Sequence, residues 1–279
     1  MNRQRWRGWR HHLRARPSKT SQAVAVVRAE LQRPHTQDGD ATAQARLCAG
    51  MPAVRALPQR AHLAARTQFF DEQVLAALDG GIRQVVILGA GYDDRALRFR
   101  APGSAYFELD HPVTQADKRR RLLRMGADLG GLTLAGADFR YDDVGAVLAA
   151  AGHDVRQASL FICEGLLVYL DQEAFVGLLS ALRSRAAPGS RLAVSLAIHP
   201  DGLDSDVVVA QANARRPNGA AEPWRTILPA AAQLRLIGRA GWSPGEPVSD
   251  AEFGSGAPGR SVLVTAGPGR TDLADPGAA

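Results

Sequence analysis

The stretch QVVILGAG (residues 84–91) decides the fold of this 279-residue chain. Its apolar residues follow one another without alternation, which is typical of a strand buried on both faces of a parallel sheet. The run ends in Gly89 and Gly91, which let the backbone turn sharply and approach a ligand closely before a helix begins. The stretch therefore predicts the first strand of a parallel sheet and a ligand-binding turn after it.

Strand-like and helix-like segments alternate on the carboxyl side of this stretch. The predicted strands are 105–110, 132–139, 159–165, 190–198 and 261–267, and the predicted helices are 93–99, 113–126, 144–152, 172–187 and 231–240. Such alternation predicts an α/β fold with a doubly wound, mostly parallel sheet and right-handed crossovers. In folds of this kind, ligands bind in a crevice at the carboxyl ends of the strands.

Three helical segments, 21–32, 41–48 and 63–78, precede the predicted sheet. The polar, proline-containing segment 199–231 has no strong period, and we interpret it as a short lid over the crevice. The tails 1–20 and 268–279 are predicted to be disordered. These boundaries give one domain, residues 21–267.

The charge distribution argues against nucleic acid as a partner of the fold. Seven basic and no acidic side chains lie in residues 1–20, whereas the rest of the chain holds 27 basic and 28 acidic ones. A nucleic-acid-binding face needs a basic patch on the fold itself. No apolar run reaches the roughly 18–20 residues of a membrane span, and no secretory signal is evident. We therefore expect a cytoplasmic protein with a small-molecule partner and leave its oligomeric state open.

Only two cysteines, Cys48 and Cys163, are present, and no Cys/His cluster has metal-ligand spacing. A disulfide framework is excluded on that count, and we expect no metal.

A carboxylate closes the second predicted strand. Asp110 follows Gly91 by 19 residues, a position from which a strand-end acid binds the two hydroxyls of a ribose. The alternative is a helix N-cap, or an ion-pair partner for Lys118 or Arg119.

Two further carboxylates close the next strands. The third strand ends in Asp138 and Phe139, a pair that suits an adenine amino group and ring, although such a pair is more often a turn acid beside a core aromatic. The fourth ends in Glu164, which must face either the crevice or a buried cation, because unpaired burial of a charge is costly.

The turn after the first strand lacks the third glycine of a dinucleotide-binding fingerprint, and Asp94 stands in its place. The adjacent acids Asp93 and Asp94 are expected to repel a pyrophosphate, which argues against NAD. A nucleoside ligand without phosphates, such as S-adenosylmethionine, fits these features better.

Five ordered segments resemble the leucine carboxyl methyltransferase-like family of S-adenosylmethionine-dependent O-methyltransferases, whose bacterial members include enzymes of polyketide pathways. They are RTQFFDEQVLAAL (66–78), QVVILGAGYDDRALRF (84–99), FELDHPVTQADKRRRL (107–122), ADF (137–139) and FICEGLLVYL (161–170). The resemblance covers about residues 20–200 and implies a Rossmann-like methyltransferase fold. Segment 199–231 is shorter than the insertion that usually covers the substrate in this family, so the resemblance does not specify the acceptor.

The resemblance also implies roles for single residues. Arg66 matches the arginine that binds the methionyl carboxylate of S-adenosylmethionine, and Gly89 matches the glycine beside the methionine part. Glu164 matches an acid near the methionyl amino group. Asp110 matches the acid that binds the ribose, and Asp138 with Phe139 matches the pair at the adenine.

The expected reaction is in-line methyl transfer to a carboxylate or hydroxyl oxygen of a small molecule. A carboxylate needs no general base, whereas a phenol would benefit from one, for which His111, His199 or Tyr169 are available. We assign none of them as catalytic. The alternatives are a cofactor-binding regulatory module without transfer activity and an NAD-type oxidoreductase.

Overall fold

The computed structural model describes residues 16–52, 60–216, 221–249 and 261–269. Most of the N-terminal tail (1–15) and the last ten residues lie outside the described residues. Helix α1 begins at Lys19, inside the segment that the sequence assigns to the tail, because the Ser18 side chain caps it by accepting from the backbone N–H of Ser21.

In the described ranges, eight strands form one sheet. They are β1 (Gln84–Leu88), β2 (Ala105–Asp110), β3 (Leu132–Gly136), β4 (Ser159–Cys163), β5 (Arg191–Ala197), β6 (Trp242–Pro244), β7 (Val248–Ser249) and β8 (Ser261–Pro268).

Helices precede the sheet and connect its strands. They are α1 (Lys19–Arg28), α2 (Ala43–Leu47), α3 (Arg60–Asp79), α4 (Arg95–Arg98), α5 (Pro112–Arg124), α6 (Val144–Ala150), α7 (Gln172–Arg183), α8 (Ser205–Arg215) and α9 (Ala230–Arg239), with a 3₁₀ turn at Leu167–Tyr169. No helix in the described ranges combines the length and apolar character needed to cross a bilayer.

The strand order is β3-β2-β1-β4-β5-β8-β6, with β7 also paired to β8. Strands β1 to β5 are parallel, and β8 runs antiparallel to β5. The order reverses between β1 and β4, so a crevice opens at the carboxyl ends of these two strands. The predicted doubly wound, mostly parallel sheet is confirmed.

The core lies on both faces of the sheet, because successive strand residues point to opposite sides. On one face, Val86 and Leu88 of β1 pack in a cluster with Phe175 of α7. On the other, Val85 and Ile87 pack in a cluster with residues of α3. All five residues of β1 are buried, as the unbroken apolar run predicts.

Four elements differ from the sequence prediction. Helix α8 lies within the predicted lid, and none of its residues is buried, so it carries no amphipathic period. Strands β6 and β7, with three and two residues, are too short to produce a pattern. Predicted helix 93–99 is reduced to the single turn of α4.

Candidate functional site

The turn after β1 requires glycine at two positions. Gly89 and Gly91 have φ angles of +65° and +51°, in the left-handed region that other residues rarely adopt. A Cβ on Gly91 would lie 2.7 Å from the Cβ of Ser21 in α1, and one on Gly89 would lie 3.1 Å from Leu166 Cδ1. The absent side chains therefore let α1 and the loop after β4 approach this turn closely.

Asp110 links the ends of β1 and β2. Its Oδ2 accepts from the backbone N–H of Gly91 at 2.6 Å, and its Oδ1 accepts from that of His111 at 2.6 Å. Burial raises the pKa of Asp110 to about 6, although the two backbone hydrogen bonds oppose the shift. The structure thus brings together the glycine turn and the acid that the sequence predicts to bind a ribose.

The ion-pair alternative for Asp110 is not observed. Lys118 pairs with the buried Glu108 of β2, and its Nζ also donates to the backbone oxygen of Asp93 at 2.7 Å. Burial raises the pKa of Glu108 to about 7, with Lys118 opposing the shift. The Lys118 side chain is thus buried between α5 and β2, and the carboxylate of Asp110 is left with backbone partners.

Glu164, directly after β4, is surrounded by three arginines. Its Oε1 pairs with Arg28 of α1 and accepts from Arg66 Nε at 2.9 Å, and its Oε2 accepts from Arg95 Nη1 at 2.8 Å. Burial alone would raise the pKa of Glu164, but these guanidinium groups outweigh it and hold the pKa well below its usual range. Glu164 therefore orients arginines, and its direct contact with a methionyl amino group stays a prediction.

The network extends to further buried groups behind Glu164. Arg95 also binds Asp71 at 2.7 Å and Asp93 at 2.5 Å, and Arg33 binds Asp71 and Asp94 at 2.7 and 2.6 Å. We call the connected set the arginine–carboxylate cluster, which consists of Arg28, Arg33, Arg66, Arg95, Arg98, Asp71, Asp93, Asp94 and Glu164.

The arginine–carboxylate cluster carries five cations and four anions, so one positive charge is uncompensated within it. Arg66, in α3, is its most accessible arginine. Only its Nε has an acceptor in the described ranges. A Cβ placed on Gly165 would lie 3.4 and 3.5 Å from Arg66 Nη1 and Nη2, so these two nitrogens lie over the glycine that follows Glu164. This arrangement offers a guanidinium edge and a net positive charge to an anionic ligand group.

The expectation that Asp93 and Asp94 repel a pyrophosphate is wrong. Both side chains are buried and neutralised, Asp93 by Arg28 and Arg95, and Asp94 by Arg33 and Arg98. Burial would raise the pKa of Asp94, but Arg33 and Arg98 lower it to about 2. The acidic pair belongs to the cluster that supports the turn and presents no free charge.

Asp138 lies two residues beyond the end of β3, next to β2. The backbone N–H of Ala137 donates to the backbone oxygen of Asp110 at 2.8 Å, so the two predicted nucleoside acids lie on adjacent strand ends. Asp138 accepts from Arg140 Nε at 3.1 Å and Nη2 at 3.0 Å. Burial opposes ionisation, yet the bonds from Arg140 keep the pKa of Asp138 low. Phe139 packs partly against the core, and the predicted adenine role of both residues stays a prediction.

The lid segment contacts the loop after β4. The N–H groups of Arg225 and Thr226 donate to Val168 O at 2.7 and 3.2 Å, and Thr226 Oγ1 donates to Leu170 O at 2.6 Å. At the other end, His199 is buried, with its ring nitrogens 2.7 Å from Pro200 O and 2.8 Å from Ser205 Oγ. Hydrogen bonds thus hold this segment on both sides of α8, and its role as a lid stays a prediction.

Sequence reasoning missed Arg28, Arg33 and Asp71. Each lies on a helix or loop before β1, and their partners lie more than 20 residues away in the chain. No local spacing marks such pairs. The only available signal was the number of charged residues in segments that also carry apolar helical periodicity.

Comparisons with known proteins find relatives of this chain by sequence and by fold. A protein from Mycolicibacterium paratuberculosis named "Putative S-adenosyl-L-methionine-dependent methyltransferase" is 41% identical over 167 residues, which cover 59% of this chain and 51% of the relative. The chain therefore spans about half the length of that relative.

Two solved structures share the fold. A DUF574 family protein from Streptomyces avermitilis superposes with a TM-score of 0.58 at 17% identity, covering 90% of this chain and 98% of its own. Magnesium protoporphyrin IX methyltransferase from Synechocystis, solved with bound S-adenosylhomocysteine, gives a TM-score of 0.52 at 17% identity, covering 81% and 93%.

The model of the family "Leucine carboxyl methyltransferase" matches residues 18–183, more than half of the chain. This range includes α1, the glycine turn after β1 and the strand ends that carry Asp110, Asp138 and Glu164. The resemblance stated from the sequence is confirmed. The chain belongs to the leucine carboxyl methyltransferase family.

Proposed function

We propose that this chain is an S-adenosylmethionine-dependent methyltransferase that methylates a carboxylate or hydroxyl oxygen of a small molecule. One observation carries the proposal. The crevice combines Asp110 at the end of β2, which binds the glycine turn, with Arg66 of α3, whose terminal nitrogens lie over Gly165 after β4 and have no acceptor in the described ranges. A nucleoside that also bears an amino-acid group needs both.

The residues present fit this cofactor. Arg66 Nη1 and Nη2 suit a carboxylate, and the extra positive charge of the arginine–carboxylate cluster would be neutralised by it. Gly89, with its positive φ, forms the turn at the end of β1, where the family resemblance places the methionine part of the cofactor. Asp110 has lone pairs left for hydroxyl groups after accepting two backbone hydrogen bonds.

When bound, the cofactor would supply an activated methyl group, to which an acceptor oxygen would bond in line with the carbon–sulfur bond as that bond breaks and S-adenosylhomocysteine leaves. The chain contributes alignment and exclusion of water, effects that lower a barrier by roughly 7–11 kcal/mol when the geometry is productive. Asp110 and Arg66 hold the donor. Segment 199–231, which is held by hydrogen bonds at Val168 and His199, covers the acceptor side.

An acceptor that is already ionised suits these surroundings. Both ring nitrogens of His199 are engaged by Pro200 and Ser205, which leaves this histidine without a free nitrogen for proton removal. The hydroxyl of Tyr169 accepts from Arg216 Nη2 at 3.3 Å. A carboxylate acceptor needs neither group as a base and is therefore favoured over a hydroxyl.

Titration calorimetry with S-adenosylhomocysteine tests the proposal. We expect binding to the wild type and a loss of at least about 100-fold in Asp110→Ala, because each hydrogen bond to a charged group contributes about 1.5–3 kcal/mol. Asp154→Ala is the matched control, since Asp154 lies before β4 at the opposite end of the sheet. Equal affinity in Asp110→Ala would refute the ribose contact.

Transfer itself is tested with a radiolabelled methyl donor and a bacterial small-molecule extract. Incorporation into a product whose ester or ether bond is identified supports O-methylation. Tight cofactor binding without incorporation would favour a regulatory module instead. Quenching of the protein fluorescence by NADH that S-adenosylhomocysteine does not reverse would favour an oxidoreductase.

A further inference from the structure

A stacked group in the lid is not used by the cofactor contacts described above. The guanidinium of Arg216 lies 4.3 Å from the ring centre of Trp224 and 5.6 Å from that of Tyr169. Asn213 fixes the arrangement, because it accepts from Trp224 N at 2.8 Å and donates to Trp224 O at 2.9 Å. The guanidinium of Arg216 thus lies against the ring of Trp224 and near that of Tyr169.

The position of this group relates it to the crevice. Tyr169 belongs to the 3₁₀ turn that follows Glu164 by three residues. The backbone oxygen of Glu222 accepts from Arg216 Nη1 at 2.9 Å, and the carboxylate of Glu222 lies near enough to Asp110 to contribute to its raised pKa. Arg216 therefore lies beside the turn that follows β4, and Glu222 lies toward Asp110 at the end of β2.

The charge of Arg216 has no counterion in the described part of the chain. Its hydrogen bonds go to neutral acceptors: Asn213 Oδ1, Glu222 O and Tyr169 Oη. Nε has no acceptor in the same ranges. Trp224 Nε1 is buried and likewise lacks an acceptor there. A half-buried cation is costly without an anion, and an unsatisfied buried donor costs about 1–3 kcal/mol.

We infer that Arg216 is a specificity-determining residue that binds an acid group of the methyl acceptor, with Tyr169 and Trp224 holding the guanidinium in place. The inference rests on the proposed function and narrows its substrate class to small organic acids. A guanidinium that is stacked and already oriented loses little freedom on binding a planar carboxylate. Helix α8, which ends at the residue before Arg216, carries the half-buried apolar side chains Val208 and Val209, which suits an apolar body on the acid.

The test compares acids with their amides on the protein loaded with S-adenosylhomocysteine. Benzoate, 1-naphthoate and 9-anthracenecarboxylate are titrated against their carboxamides, which have the same shape without the charge. We expect the wild type to bind at least one acid about tenfold or more tightly than its amide. Arg216→Gln should reduce this preference to about threefold or less, and Arg216→Lys should keep part of it. Arg215→Gln is the matched control, because Arg215 is the exposed neighbour at the end of α8.

The affinity for S-adenosylhomocysteine separates the possible failures. It should stay within about twofold in all three variants. Absence of an acid preference in the wild type, or its persistence in Arg216→Gln, would overturn the inference and leave the proposed function intact. A parallel loss of S-adenosylhomocysteine affinity in Arg216→Gln would show that Arg216 only fastens the lid. Failure of S-adenosylhomocysteine to bind the wild type would overturn the proposed function and this inference together.

Discussion

Replacement of Arg66 by glutamine tests the part of the site that the sequence alone supports least. The substitution removes the two terminal nitrogens over Gly165 and the single bond to Glu164. Glu164 keeps its contacts with Arg28 and Arg95, so we expect the fold to remain intact. The arginine–carboxylate cluster then becomes neutral, with four cations and four anions.

The expected loss of affinity for S-adenosylhomocysteine follows from the geometry. Truncating one partner of a buried, hydrogen-bonded charge pair costs about 2–5 kcal/mol. The Arg66 side chain is 15% exposed, so solvent screens the pair and the lower half of that range applies. A loss of about 2–3 kcal/mol corresponds to a roughly 30- to 150-fold weaker Kd for S-adenosylhomocysteine.

The measurement is titration calorimetry with two ligands. S-adenosylhomocysteine carries the amino-acid end, whereas 5′-methylthioadenosine lacks it and keeps the ribose and adenine. Arg66→Gln should weaken the first ligand and leave the second within about twofold. Arg60→Gln serves as the control, because Arg60 lies on the same helix with its side chain 53% exposed and paired with Glu30. An equal loss for both ligands, or no loss for either, would refute the assignment of Arg66 to the carboxylate.

Three further predictions address other parts of the site. Because burial raises the pKa of Asp110 to about 6 and a ribose contact requires the ionised form, S-adenosylhomocysteine affinity should fall about tenfold between pH 7.5 and pH 5; a flat calorimetric profile would contradict that contact. Gly91→Ala should lower the free energy of unfolding in urea by about 1–3 kcal/mol, because the new Cβ would lie 2.7 Å from Ser21 Cβ and because the backbone has a positive φ. The added change Ser21→Gly removes only the first cause and should recover only part of the loss. Glu164→Gln should lower the free energy of unfolding by about 3–5 kcal/mol in the same assay, because three guanidinium groups would lose their shared anion. An unchanged midpoint would mean that the remaining acids of the cluster neutralise its arginines.

The sheet and one side of the site could be predicted because their signals are local. The unbroken apolar run of β1 requires burial on two faces, and the structure provides it. The distance from Gly91 to Asp110 is set by one turn, one short helix and one strand, so the acid must reach the adjacent strand end. These constraints act over about 20 residues and therefore appear in the sequence as a spacing.

The ion pairs on the other side of the site could not be predicted from the residues alone, because their partners are brought together only by packing. Arg28 and Asp93 are 65 residues apart, and Arg66 and Glu164 are 98 residues apart. The acids after Gly91 were interpreted as free charges for the same reason, since nothing near them in sequence shows which cations neutralise them. Helix α8 was missed because a helix without buried residues has no apolar period.

The two halves of the crevice consequently have different structural origins. The sheet ends contribute the acids, whose positions are fixed by backbone hydrogen bonds such as that from Gly91 to Asp110. Helices α1 and α3, which precede the sheet, contribute the cations Arg28 and Arg66, and Glu164 joins both helices to the end of β4. A displacement of either helix would alter the cationic half while leaving the acidic half in place. Recognition of the amino-acid end of the proposed cofactor therefore depends on how the N-terminal helices pack, whereas recognition of its nucleoside depends on the sheet.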